Sequence, residues 1–377
     1  MKALYRYELH KFIFQKKNGV LIILLLLFLT GFIAMNYQKD QAYPEDMKNR
    51  MMDYAETARD SAKMASTAAI YLKDPTEIRK LEEEAEFWNK FSGVCSVLQA
   101  DYSDRNHHSL DFLHKEATWY RMISEGRERG YNTDQITQWN DKTLQEKMKV
   151  NQYLIKENLS PLNSPFECNF FNLINLLFSD YYPLVLTMLF LLMVFDICSS
   201  EFENGTYKTI YATPVSRSMI LKTKFLFILS AMIVFILLIL LVFGIAAIFF
   251  GMGSFTYPYL INSVISGIAK ADGYLLVIFF SNLLFMMAVL VCLGYSTHSS
   301  SLSLAVVIVL YAAAVIYRQV FDFEYLYSYL PVCYIFDKEI IQYQGTWMSF
   351  LISIGCCAVL MPVTGVYFSR QNLNGSQ

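Results

Sequence analysis

From Phe225 to Phe250 the chain runs without a single charged side chain. As a helix that stretch is about 39 Å long, more than the roughly 30 Å needed to cross the hydrocarbon core of a bilayer. Lipid offers no partner to backbone N–H and C=O groups, so such a run must satisfy them internally, as a helix does. Further apolar runs fall at 19–36, 179–198, 274–295, 301–317 and 347–368. The expectation is an all-α integral membrane protein with six transmembrane helices. Composition agrees, because 55% of the residues are hydrophobic and only 17% charged. A net charge of −2 with no basic tract argues against a nucleic-acid partner. The fifth run is short at its start, where His298–Ser301 reads as a tight cytoplasmic turn, the turn segment being 296–300.

Residues 1–18 hold Lys2, Arg6, Lys11, Lys16 and Lys17 against one acid, Glu8. Tyr5, Leu9, Phe12 and Ile13 recur at helical spacing. This reads as an in-plane helix with its lysines toward anionic headgroups. No small-x-small cleavage site follows the first apolar run, so it reads as an uncleaved span.

Residues 37–178 are polar for most of their length. Asp74-Pro75, Ser103–Asn106 and Gly130-Tyr131-Asn132 punctuate them. Helix-like tracts lie between at 45–73, 76–100, 109–129 and 134–158. Phe166–Phe178 reads as an interfacial helix leading back to the membrane. The basic flanks 1–18 and 208–224 predict cytoplasmic ends for the first and second spans, which puts the helical domain 37–178 outside. The segments 251–273 and 318–346 are poor in lysine and arginine and are expected outside as well. The tail 369–377 is expected inside, so both termini are cytoplasmic. The expected location is a bacterial plasma membrane.

The segment 199–224 is the one compact polar stretch between two apolar runs. Asn204 or Gly205 is expected to open a short helix, with Glu201 and Glu203 near its positive end. Tyr207, Ile210 and Tyr211 would form its apolar face, with Lys208 pointing elsewhere. Pro214 ends it, and Arg217 and Lys224 stand where the third span begins. The same spacing also fits an ordinary polar loop.

Glu201-x-Glu203-x-Gly205-Thr206, then Pro214-Val215-Ser216-Arg217, then Lys224, resembles the signature of type-2 ATP-binding-cassette (ABC) transporter permeases. The resemblance is close over this stretch and loose over the order of spans, and it leaves out the polar domain. It implies that the stretch is the coupling helix, docked in a groove of a cytoplasmic ATPase. Glu201, Glu203, Gly205, Thr206, Tyr207, Lys208, Ile210, Tyr211, Pro214 and Arg217 would form that interface. It also implies partners: ABC ATPase subunits, and a second permease of the same or a related chain. Re-entrant helices within 318–346 are implied in the same way, with Tyr325–Tyr334 dipping into the outer leaflet.

No phosphate loop of the form G-x-x-x-x-G-K-[ST] occurs, so ATP and Mg are expected on the partner, with no cofactor and no catalytic residue in this chain. His107, Asp111 and His114, at i, i+4 and i+7, would share one helix face, with His108 adjacent, and are the metal candidate. Cys95 and Cys168 are the candidate disulfide pair. Asp196 reads as a headgroup-level acid, or as a partner for the Arg217–Lys222 region. The functional expectation is the permease of an ABC exporter for an amphipathic or hydrophobic substrate: an antimicrobial peptide, a drug or a lipid. The alternative is a membrane sensor or scaffold with an external ligand-binding domain.

Overall fold

The computed structural model describes residues 2–131, 133–179, 181–208, 215–320, 324–342 and 345–370. Its helices in chain order are α1 (Lys2–Phe14), α2 (Lys16–Tyr71), α3 (Pro75–Ser103), α4 (Leu110–Glu128), α5 (Asp134–Thr137), α6 (Asp141–Lys156), α7 (Phe170–Leu177), α8 (Tyr182–Val194) and α9 (Ser200–Glu203). After these come α10 (Arg217–Phe250), the strands β1 (Pro258–Ile261) and β2 (Val264–Gly267), α11 (Ile268–Thr297), α12 (Ser300–Val320), α13 (Asp337–Gln342) and α14 (Thr346–Arg370). Short 3₁₀ turns at Glu324–Tyr329 and Pro331–Cys333 precede α13. The chain forms two units. One holds Met1–Ile33, Asn169–Phe255 and Ile268–Gln377; the other holds Ala34–Cys168 and Thr256–Gly267.

The first unit carries the apolar helices. Five are long and apolar enough to cross a membrane: α2, α10, α11, α12 and α14. A sixth span exists only if α7 and α8, set 80° apart, are counted together. The run expected at 179–198 is thus helical over Tyr182–Val194, about 20 Å, too short to cross alone. It continues through turns to α9. The helix expected at 166–178 begins at Phe170, where the Asn169 side chain caps the Asn172 N–H.

In the most apolar part of α11 67% of the residues are buried, against 22–28% in the other four. It is therefore the central helix, and its polar side chains bind its neighbours. Asn282 donates from Nδ2 to Thr187 Oγ1 of α8 at 2.8 Å and accepts from the Tyr311 hydroxyl of α12 at 3.0 Å. Ser353 of α14 donates to the Ser281 carbonyl at 2.9 Å. Asn282 and Thr187 are fully buried. Replacing Asn282 with leucine is expected to remove two interhelical bonds and lower stability by about 1–2 kcal/mol. Thermal unfolding in a mild detergent would show this as a lower midpoint; an unchanged midpoint would count against the network.

Outward faces of these helices are apolar instead. Val234, Leu237, Leu241, Ile245 and Ile248 form an exposed stripe along α10 at helical spacing. Among the described residues of 324–342, Tyr327, Cys333, Tyr334, Phe336 and Ile340 are buried. Parts of this segment pack on α11, α12 and α14.

The second unit is a helical domain with its own core. Met51, Ala55, Ala58 and Ala62 give α2 a mostly small-residue face, over which Phe87, Trp88 and Phe91 of α3 pack. Ser92 of α3 donates to the Ala55 carbonyl at 2.9 Å. Side-chain caps fix where helices start. Asp74 caps Thr76 N–H, with Pro75 in the first turn of α3; Ser109 caps α4 and Asn140 caps α6. Gly126 of α4 is a close approach, since a Cβ there would meet Ile136 Cδ1 at 2.8 Å.

Two features differ from the sequence expectation. The tract expected at 45–73 is the end of one continuous helix, α2. The loop expected at 251–273 contains a β-hairpin, in which Pro258 pairs with Gly267 and Ile261 with Val264. Its two-residue turn, Asn262-Ser263, has both residues at positive φ, 49° and 60°. That geometry matches the twist of the flanking strands.

Candidate functional site

The polar stretch before α10 is tied into the first unit by buried charge. Residues 200–203 form the single turn α9, and Asn204 is its C-cap. Gly205 follows at φ 69°, the left-handed conformation that ends helices and suits glycine. So Gly205 closes a helix instead of opening one, and Glu201 and Glu203 lie within α9. Helical geometry resumes at Tyr207 and Lys208.

Lys224 of α10 is the centre. Its ammonium is 2.7 Å from Glu201 Oε1 and 3.2 Å from Glu8 Oε1 of α1, and it also donates to the Ile197 carbonyl. Three acceptors match its three N–H donors. All three side chains are buried. Burial drives the Glu8 carboxyl above the usual carboxylate range, and Lys224 pulls it back. Lys11 donates to Ser200 Oγ at 2.7 Å. Asp196 pairs with Lys17 at 2.7 Å and accepts from Gln15; its partner is the α1–α2 junction, not the Arg217–Lys222 region. Tyr5 meets Ser230 at 2.7 Å, and Tyr5 and Phe12 pack edge-on against Phe227. Hence α1 packs on α10 along its Tyr5–Glu8–Phe12 face.

Glu203 reaches α12. It accepts from the Ser300 N–H at 2.6 Å and from Ser300 Oγ at 2.6 and 2.8 Å. A carboxylate at a helix N-terminus is favourably placed. Phe202 and Tyr207 stack at 5.6 Å, and Phe202 packs on His298 at 4.1 Å and against Tyr295 and Phe368. Arg217 donates to the Phe368 and Ser369 carbonyls at 3.1 and 3.3 Å. The stretch therefore touches α1, α10, the α11–α12 turn and the end of α14. Lys208 is exposed and Thr206 lies at the surface. Ile210, Tyr211 and Pro214 lie outside the described residues.

A family model described as "ABC-2 family transporter protein" matches residues 3–373. The chain belongs to the ABC-2 transporter family. No curated protein and no solved structure gives a significant match. As an ABC-2 transporter it is a multi-pass membrane protein and a transport subunit, and membership implies association with ABC ATPases in general.

Other sequence candidates of this ABC-2 transporter do not assemble. His107 precedes α4, whose cap is Ser109, so His107, Asp111 and His114 do not share a helix face. The His107 ring is bonded to Asn163, and Asp111 pairs with Lys115 at 2.7 Å. Among the described residues no group of three His, Cys, Asp or Glu side chains is placed to hold a metal. Cys95 and Cys168 are both buried and neither is in a disulfide, so the candidate bridge is not formed. The sequence reading missed Glu8 and Ser300 as partners of the motif carboxylates. A lone acid in a basic, amphipathic helix was the available signal for Glu8.

Proposed function

We propose that this ABC-2 transporter is the permease of an exporter whose energy comes from ATP hydrolysis on a separate chain, with residues 199–217 as the coupling element. The observation that carries the reading is the wiring of that stretch. Glu201, Phe202 and Glu203 each engage a different part of the membrane unit, so a push on the loop reaches α1, α10 and α12 together. In this role the two motif carboxylates transmit force inside the permease. Tyr207, Lys208 and the following residues meet the ATPase. The substrate is amphipathic or hydrophobic, and two permease chains form the transporter.

The proposed topology has six spans, cytoplasmic termini and residues 37–168 outside. Its support is the basic character of 1–18 and 208–224. The contacts of Glu8 and Lys11 with Lys224 and Ser200 add to it, because two segments that touch outside the lipid lie on one side of a membrane.

The test is reconstitution in lipid vesicles, alone and with the ATPase encoded beside it. The permease alone should hydrolyse no ATP; the pair should hydrolyse it and move substrate. Hydrolysis by the permease alone, or pairing with a kinase-like protein in place of an ATPase, would overturn the reading.

A further inference from the structure

The helical unit contains a cavity of about 510 Å³, within the range of small-molecule sites. It is walled by α4 and α6 and by the strand β1, with Tyr43, Tyr102, Tyr120 and Tyr257 in the lining. Glu116 lies among these tyrosines. One carboxylate oxygen accepts from the Tyr120 hydroxyl and the other from Asn151 Nδ2, both at 2.8 Å. Two of its roughly four acceptor positions are thereby used.

Asn151 holds one Glu116 oxygen in place. Its Nδ2 also donates to the Leu113 carbonyl at 3.1 Å, so both groups facing that nitrogen are acceptors and the amide orientation is fixed. Its Oδ1 is buried and has no hydrogen-bond partner. A buried acceptor without a donor is costly; with no exposed surface, it does not itself face the cavity. The lining charges are Glu116, Glu146 and Lys147, and the Lys147 ammonium lies 5.0 Å over the Trp139 ring. His107, at the cavity edge, is held toward its neutral form by burial. Tyrosine faces attract cations.

We infer that this cavity binds an organic cation carrying N–H donors on an apolar body, with Glu116 accepting from the cation and the tyrosines enclosing it. This goes beyond the export reading and does not depend on it, since the binding site lies wholly within the helical unit.

The test is calorimetric titration of the purified full chain, in a non-ionic detergent, with three compounds that share a phenethyl body. These are phenethylammonium, its neutral N-acetyl derivative and the anionic phenylpropionate. The cation should bind about tenfold or more tightly than either analogue, as a desolvated charge pair plus cation–π contact implies. Glu116→Gln should remove that preference, and Tyr257→Leu should weaken the cation about fivefold or more. If Glu116→Gln does not fold, Tyr257→Leu and the three-compound comparison on the unaltered chain still decide. Equal binding of the three compounds, binding of none, or a preference unchanged in both variants would overturn the assignment. None of these measurements involves an ATPase, so failure here is separable from failure of the export reading.

Discussion

Replacing Lys224 with methionine is expected to loosen α1 from the membrane unit and to lower the thermal midpoint more than any other single change considered. Lys224 sits between Glu8 and Glu201 with all three side chains buried. Removing the cation leaves two carboxylates facing each other without compensation. Breaking a buried ion pair by deleting one partner costs about 3–5 kcal/mol. The aromatic contacts of Tyr5 and Phe12 with Phe227 remain, so α1 should become mobile without the spans unfolding. Hydrogen exchange across residues 2–14 reads that mobility directly. A triple variant, Lys224→Met with Glu8→Gln and Glu201→Gln, has no unpaired charge left and should recover much of the lost midpoint. Such recovery would be strongly non-additive. Wild-type exchange and midpoint in Lys224→Met would mean that the triad carries no weight.

How much of this was legible in the sequence follows from how far apart the partners are. Helix starts that depend on adjacent residues could be read: Asp74-Pro75 is a cap followed by a first-turn proline, and α3 begins there. Apolar length located the long helices α10 to α12 and α14 to within a few residues at most ends, though α10 starts eight residues earlier, at Arg217. Local chemistry with two readings was less decisive. Gly205 suits a helix start or a helix end, and only its φ of 69° decides for the end. His107 sits two residues before the Ser109 cap, so the helical face assumed for the metal candidate never forms. The Asn262-Ser263 turn contains no glycine, so the segment 251–273 carried no hairpin signal and read only as a loop. What spacing could not reveal were the long-range pairs. Glu201 finds Lys224 23 residues on, Glu203 finds Ser300 97 on, and Thr187 finds Asn282 95 on. The two glutamates of the motif also bind within the permease, one on the buried Lys224 and one on the start of α12.

That division of labour leads to the second large effect: docking and transmission should separate by mutation. Tyr207→Ala with Tyr211→Ala should weaken ATPase binding, because aromatic anchors dominate such interfaces at about 2 kcal/mol or more each. A loss of that size per anchor is roughly thirtyfold in affinity. The spans are untouched and inside the permease the Phe202–Tyr207 stack is lost, so the variant should insert and shift its thermal midpoint little. Glu203→Ala should behave differently. It trims one exposed side chain from the loop and, with it, removes the carboxylate that holds the Ser300 N–H and hydroxyl at the start of α12. The ATPase should still bind and hydrolyse ATP, while transport falls, since the push no longer reaches α12. Glu203→Asp, which keeps the charge but shortens the reach by one methylene, should restore part of the transport. Binding measured by co-purification, hydrolysis by phosphate release and transport in vesicles distinguish the two classes. If the double tyrosine variant binds and transports normally, residues 199–217 are not the coupling element. If Glu203→Ala loses binding and transport together, the carboxylate belongs to the docking surface, and the path to α12 must run through Phe202 and His298 instead.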